Sequence, residues 1–162
     1  MAAAIAPDAP TNTVSLPKAL PPPLFEDVSD SLKHRHVESP FDDFELQPLL
    51  PRHLGQLGPG IAWYDLDGDG REDLIIGGGR GNALGVYLNK GGGQWAKQEG
   101  VWATALPDDS AGIVAGTLAP GVRSVLVGLA HYESEQTNLP AALRFDLNGS
   151  NAVHGATLPS CG

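Results

Sequence analysis

The sequence predicts an all-β fold, and three observations support this prediction. Gly and Pro occur 21 and 14 times in 162 residues, which favours frequent turns over long helices. Short runs of Ile, Val, Leu and aromatic residues recur between Gly, Asn, Asp or Pro, as in short strands joined by tight turns. Two of these runs repeat at a spacing of 51 residues, which indicates one β unit used twice.

Composition and charge restrict the classes of partner. The formal net charge is −9, from 10 Lys and Arg against 19 Asp and Glu, and no Lys/Arg cluster forms a basic face. We therefore expect no nucleic-acid partner. No apolar run approaches the roughly 20 residues of a membrane helix, so we expect no membrane span. The lone Cys161 predicts no disulfide within the chain.

Residues 1–23 are rich in Ala and Pro, and we interpret them as a disordered leader or linker. The stretch ALPPPL favours an extended, polyproline-like chain. The segment lacks the basic start and the apolar core of about 7–15 residues that a secretory signal needs, so no clear signal peptide is predicted.

Six strands and one helical turn are predicted in the part that follows. The helical turn is expected within DVSDSLKH, at 27–34. Each predicted strand is a short apolar run bounded by turn residues. The six strands are GIAWYD at 60–65, DLIIGG at 73–78, GVYLN at 85–89, AGIVAG at 111–116, SVLVGLA at 124–130 and ALRFDL at 142–147.

An internal repeat organises these strands. DLIIGG and SVLVGL share a small polar residue, three aliphatic residues and a glycine, at an offset of 51 residues. GIAWYD matches GIVAGT at an offset of 52, and VYLN matches LRFD at an offset of 57, with ESEQTN as the expected insertion. A period near 50 residues with about four strands per unit suggests propeller blades or another β array.

The connection DLDGDGRED, at 65–73, predicts a calcium site. Its aspartates stand at positions 1, 3, 5 and 9, and Gly70 at position 6 permits a tight curl of the backbone. Two carboxylates about 5 Å apart repel by roughly 3 kcal/mol at an effective dielectric near 20, so a cation is needed to hold them together. Ca²⁺ takes about 6–8 hard oxygen ligands. The predicted ligands are Asp65, Asp67, Asp69 and Asp73, with the backbone carbonyl of Arg71.

Other metals and loop types fit this sequence less well than calcium. Mg²⁺ prefers fewer protein ligands and stricter geometry, and zinc prefers His or Cys, which the loop lacks. An EF-hand needs a glutamate at position 12, where this chain has Ile76 inside an apolar run. An exposed acidic turn without an ion remains the alternative.

The segment LGPGIAWYDLDGDGREDLIIGGGRGNALGVYLNKGGGQW resembles the FG-GAP/VCBS repeat of integrin-α-type β-propellers. With the preceding stretch from LFEDVSDSL, it is similar to bacterial VCBS-repeat proteins of the kind associated with an ASPIC/UnbV-type domain. The resemblance covers about 24–97 strongly and 98–147 weakly. It implies four-stranded antiparallel blades, calcium in an inter-strand loop held at the five positions named above, a secreted, periplasmic or cell-surface setting, and binding rather than catalysis.

On this basis the chain is expected to form a partial β-propeller of about two blades over 24–150. We place the first blade, with the calcium loop, at about 58–97, a degenerate second blade at about 98–150, and a tail at 151–162. The second loop, TLAPGVRS, carries no carboxylate, so one calcium ion is expected and not two. A closed propeller has about 4–8 blades, so we expect a fragment, a truncated gene product, or a piece that assembles with other copies.

The remaining candidate residues are expected to be solvated or structural, with no catalytic or binding role. HRH at 34–36 is expected to be solvated, and His53 to have a structural role, packed on the loop. The set His131–Glu133 follows a strand end, but no nucleophile with its base and orienting group is recognisable nearby. The connection GGGRGNALG lacks the Gly-Lys-Ser/Thr ending of a phosphate loop. The tryptophans at 63, 95 and 102 are expected in blade cores, although tryptophan can also stack on sugars.

The sequence therefore predicts a calcium-binding repeat module with a binding, adhesion or structural role and no catalysis of its own. Its expected partners are a protein or carbohydrate ligand, and the remaining blades or further copies of the chain. The alternative is a scaffold fragment of a propeller-type carbohydrate-active enzyme. Fold and metal do not specify the ligand.

Overall fold

The computed structural model describes residues 23–56, 58–134, 138–148 and 151–158. Except for Pro23, the predicted leader or linker at 1–23 lies outside these residues, as does Cys161. The described chain forms two antiparallel sheets of four strands each, taken in chain order. This confirms the predicted all-β class and the two four-stranded blades of a partial propeller.

Each blade is a simple meander in which every strand pairs with the next along the chain. The first blade contains β1 (Ile61–Tyr64), β2 (Asp73–Ile76), β3 (Gly85–Gly91) and β4 (Gln94–Lys97). The second contains β5 (Asp109–Ala119), β6 (Val122–Ala130), β7 (Ala142–Asn148) and β8 (Asn151–Leu158). All six predicted strands are present, and β4 and β8 are additional to them.

The described helices are short. They are α1 (Ser29–Leu32), α2 (Asp43–Leu46) and a 3₁₀ helix (Gly100–Ala103) between the blades. α1 confirms the helical turn predicted within 27–34. The carboxylate of Asp42 caps α2 by accepting from the N–H groups of Phe44 and Glu45 at 2.9 and 3.3 Å. Over the described residues, no helix has the length and apolar character needed to cross a bilayer.

The boundary drawn at residue 150 needs correction. The second blade extends to Leu158, because β8 pairs with β7 from Ala142↔Leu158 to Asn148↔Asn151. The segment NAVHGATL, interpreted as part of a tail, lacks the apolar run by which the other strands were found. Backbone hydrogen bonds to β7 place it in the sheet, and such pairing leaves little trace in a sequence.

One apolar core joins the two blades. Residues from both sheets and from the 3₁₀ helix form it, and the rings of Trp102 and Phe145 pack with centroids 4.9 Å apart. Trp102 is 3% exposed, so the 3₁₀ helix packs its side chain between the two sheets. The buried members are Leu66, Ile75, Leu84, Val86, Leu88, Trp102, Leu106, Val125, Val127, Leu143, Phe145 and Leu147.

The first blade also buries part of its opposite face. Because side chains alternate along a strand, Leu74 and Ile76 point away from the core that contains Ile75. Together with Tyr87 they form a smaller cluster, onto which Leu32 of α1 and Trp95 pack. The segment before β1 therefore covers part of the face that the second blade leaves open.

The two sheets make backbone contact at Gly60 and Gly112. The N–H of Gly60 donates to the carbonyl of Ser110 at 3.2 Å. A Cβ on Gly60 would lie 3.0 Å from the Cα of Gly112, so a side chain at position 60 would press against the β5 backbone. This contact fixes β1 beside β5 and brings the β1–β2 turn close to the β5–β6 turn.

Candidate metal centre

The predicted calcium loop closes the β1–β2 hairpin, in which Tyr64 pairs with Asp73. It brings one carboxylate oxygen from each of Asp65, Asp67 and Asp73 within 4.8 Å of one another. The three aspartates come from positions 1, 3 and 9 of the loop. The spacing thus produces a convergent group of oxygens, the kind of donor that Ca²⁺ prefers.

Asp65 curls the loop. Its carboxylate accepts from the N–H groups of Gly68, Asp69 and Gly70 at 2.6, 3.1 and 2.9 Å. Gly68 and Gly70 have φ angles of 85° and 83°, a conformation that favours glycine. Burial opposes the ionisation of Asp65, but these hydrogen bonds and the charge of Arg123 outweigh it and hold its pKa below the usual value.

Asp73 anchors the loop to the sheet. It is fully buried and accepts from the N–H groups of Leu66 and Asn89, both at 2.8 Å. Burial raises the pKa of Asp73, the two N–H groups oppose this effect, and the charges of Asp67 and Asp69 raise it further. A cation beside Asp73 would relieve the cost of ionising it.

Asp69 and Arg71 form a pair of their own. The Asp69 carboxylate pairs with the Arg71 guanidinium and accepts from the Arg71 N–H at 2.9 Å. The guanidinium also donates to the carbonyl of Asn89 at 2.8 Å. Asp69 thus stands outside the convergent group, and the ligand roles of Asp69 and of the Arg71 carbonyl stay predictions.

Two cations from outside the loop were missed by sequence reasoning. Lys90 Nζ lies 3.2 Å from Asp67 Oδ2. Arg123, from the second blade, lies 3.4 Å from the Asp65 carbonyl, and a Cβ on Gly68 would lie 2.8 Å from its Nη1. A signal for Arg123 was present, since it is the basic residue of TLAPGVRS, the counterpart of the acidic loop in the second repeat.

The charges around the loop do not balance. The loop holds five carboxylates, those of four aspartates and Glu72. The three cations Arg71, Lys90 and Arg123 lie against it. The loop is therefore negatively charged overall, which favours binding of a cation.

A second acidic group, Asp109 and Glu133, lies at the other end of the second blade. The two residues are 5% and 8% exposed. Asp109 accepts from the Arg80 N–H at 2.6 Å, and Glu133 from the Gln56 N–H at 2.9 Å. Burial raises the pKa of both carboxyls, and the neighbouring charge of Glu38 raises both further.

This pair predicts a pH effect on stability. A pKa raised on folding means that the folded chain holds the proton to a higher pH than the unfolded chain does. The stability that this proton contributes is present below the ordinary carboxyl pKa of about 4 and is lost as pH rises above it. Replacing Glu133 with Gln is therefore expected to make the chain progressively more stable, relative to wild type, between about pH 4 and 7. Urea unfolding in EDTA measures the difference, with Glu72→Gln as the exposed control. A difference that does not change with pH would contradict this.

The histidines lie elsewhere than expected. His34 Nδ1 lies 2.8 Å from the Tyr87 hydroxyl, and His36 Nε2 lies 2.5 Å from a Glu38 carboxylate oxygen. Both imidazoles are half-buried, so the expectation of solvated histidines at 34–36 is wrong. His53 contacts Asp43 at 3.3 Å and the ring of Phe44, and these contacts tie it to α2 rather than to the acidic loop.

The remaining candidates have structural contacts. Buried Asp108 accepts from Ser134 Oγ at 2.5 Å and lies 3.1 Å from His131 Nδ1, which ties the end of β6 to the start of β5. Trp102 is in the core, as expected. Trp63 is 52% exposed, and its ring centroid lies 5.9 Å from that of Trp95 on the outer face of the first blade. The expectation of a core position is therefore wrong for Trp63.

Comparison with known proteins identifies the repeat. Residues 65–118 match the FG-GAP-like repeat family. The match begins at the first aspartate of the loop and ends within β5. No curated protein and no solved structure matches the chain.

Proposed function

Because residues 65–118 of this chain are an FG-GAP-like repeat, we propose that the chain is a calcium-binding module of β-propeller type. Its role is to bind, adhere or give structural support, and it does not catalyse a reaction by itself. The observation that carries the proposal is the convergence of Asp65, Asp67 and Asp73 at the β1–β2 turn.

The donor set fits calcium. The convergent atoms are all carboxylate oxygens, and no His or Cys lies in the loop, which argues against zinc. Asp69 and the Arg71 carbonyl would complete the ligand set. The bound ion would supply the positive charge that the loop lacks and would hold β1 and β2 together at their turn. The corresponding turn of the second blade, TLAPGVRS, has no carboxylate, so we propose one ion per chain.

The partner and location follow from the same family. We propose a secreted, periplasmic or cell-surface protein with a protein or carbohydrate ligand. Ile61 on the first blade and Val114 on the second are 56% and 62% exposed. These apolar side chains on β1 and β5 support packing against further blades or against other copies of the chain.

Calorimetric titration with Ca²⁺ tests the metal. We expect one site in the wild type, and Asp67→Asn is expected to weaken it at least about tenfold, since even the loss of a residue that only orients a ligand weakens metal sites about 10–100-fold. Glu72→Gln is the matched control. It removes the same charge from the same loop at an exposed side chain outside the convergent group, and it should retain the site. Two sites, no site, or equal losses in both variants would overturn the proposal.

A further inference from the structure

A cavity of about 300 Å³ lies away from the acidic loop. One wall is the segment 33–37 that follows α1, and another is the glycine-rich connection between β2 and β3. Tyr87 and Lys97, on β3 and β4, complete it. The cavity thus lies where the leading segment covers the first blade.

The lining is basic, in contrast to the chain as a whole. Of the 10 Lys and Arg in the sequence, Lys33, Arg35 and Lys97 line it, with His34 and His36. The described lining includes no Asp or Glu. Lys33 and Arg35 form no ion pair with a described residue, and Lys97 has only an exposed partner, Glu99, at 3.5 Å. In a chain of net charge −9, this is a local concentration of basic side chains, of which His36 is paired with Glu38 at 2.5 Å.

His34 adds a directed donor. Its Nδ1 lies 2.8 Å from the Tyr87 hydroxyl, and its buried Nε2 has no hydrogen-bond partner among the described residues. Burial lowers the pKa of His34, and the neighbouring His36 and Lys97 lower it further, which favours the neutral form of the ring. When the hydroxyl donates to Nδ1, Nε2 carries the proton and is free to donate. A Cβ on Gly85 would lie 2.8 Å from the ring, so glycine makes room for it.

We propose that this cavity binds a small ligand that carries an oxyanion, either a carboxylate or a sulfate-type group. Lys33, Arg35 and Lys97 would neutralise the oxyanion, and His34 would donate to it. The volume is at the low end of the roughly 300–1,000 Å³ of ligand pockets, which favours a small molecule. The negative charge of the whole chain opposes a large polyanion.

Nuclear magnetic resonance titration of the full, calcium-loaded chain tests this site. The probes are sodium sulfate, sodium galacturonate and uncharged galactose, at constant ionic strength. We expect sulfate or galacturonate to shift the amide signals of Gly78 and Gly85, and galactose to leave them in place. Tighter binding of galacturonate than of sulfate would identify an acidic sugar as the ligand, and the reverse order a free inorganic oxyanion.

Two arginine variants make the result specific. Arg35→Gln is expected to raise the dissociation constant of the bound anion about tenfold, the usual effect of losing one charge-assisted hydrogen bond. Arg52→Gln is the control, because Arg52 is exposed and does not line the cavity. Absence of shifts at the cavity, or equal weakening in both variants, would overturn the proposal. The signals of Gly68 and Gly70 report the metal loop separately, so failure here is distinguishable from failure to bind calcium.

Discussion

Replacing Asp73 with alanine should destabilise the chain by about 2 kcal/mol or more even without calcium, since each buried donor left unpaired costs about 1–3 kcal/mol. The donors are the N–H groups of Leu66 and Asn89. Asp67→Ala is the informative comparison, because the Asp67 carboxylate is held by Lys90 and by an N–H of its own exposed loop. In EDTA, Asp67→Ala should stay within about 1 kcal/mol of wild type.

Adding calcium distinguishes the role of Asp73 as a metal ligand from its role as an anchor of the loop. A wild-type chain at a free calcium concentration 100 times the dissociation constant should gain about 2.7 kcal/mol. Neither variant should show this gain, since each lacks one member of the convergent group. Urea unfolding in EDTA and in saturating calcium gives all the values. Equal stability of the two variants in EDTA would show that Asp73 is a ligand only and does not anchor the loop.

Trp102→Ala should cost about 3–5 kcal/mol, the usual range for removing a buried aromatic side chain. Trp102 is 3% exposed and packs on Phe145 of β7, so the variant leaves a cavity between the blades. Trp63→Ala is the matched control. Trp63 is 52% exposed, and its loss should cost within about 1 kcal/mol. Comparable losses of stability in the two variants would contradict the packing of the 3₁₀ helix between the sheets.

Hydrogen exchange should show which blade is destabilised by Trp102→Ala. In the calcium-loaded wild type we expect faster exchange across 112–147 than across 60–89, because the predicted ion ties down only the first blade. Trp102→Ala should widen the difference, since the second blade then loses its support from the 3₁₀ helix. Uniform, strong protection of both segments in the wild type would contradict this order.

The fold was largely predictable because the inner strands are apolar. The runs DLII and SVLV bury aliphatic side chains and therefore stand out from the turns. The two missed strands are outermost in their sheets. β4 has the sequence QWAK and β8 has NAVHGATL, and neither contains a continuous aliphatic run. The edge strands β1 and β5 were predicted because each contains an apolar run, whereas β4 and β8 are held mainly by backbone pairing with one neighbour, which side chains record only weakly.

The site was predictable only within the loop. The spacing of Asp65, Asp67 and Asp73 sufficed to bring their oxygens together, since nine consecutive residues close one turn. Asp69 follows the same spacing but pairs with Arg71, two residues away. Lys90 and Arg123 approach from 23 and 58 residues along the chain. Contacts at such separations depend on how the sheets pack, and no local pattern encodes them.

The repeat of the family and the sheets of the fold are out of phase, and this determines how the chain can be dissected. A recombinant piece cut at 65–118 would contain β2, β3 and β4 without β1, and β5 without β6. It would retain the loop aspartates but lose Tyr64, the strand partner of Asp73, and would expose unpaired strand edges that invite aggregation. A cut within 104–108 would leave both sheets whole but would divide their shared apolar core, so an expression piece of this chain should contain both sheets and should not follow the family repeat.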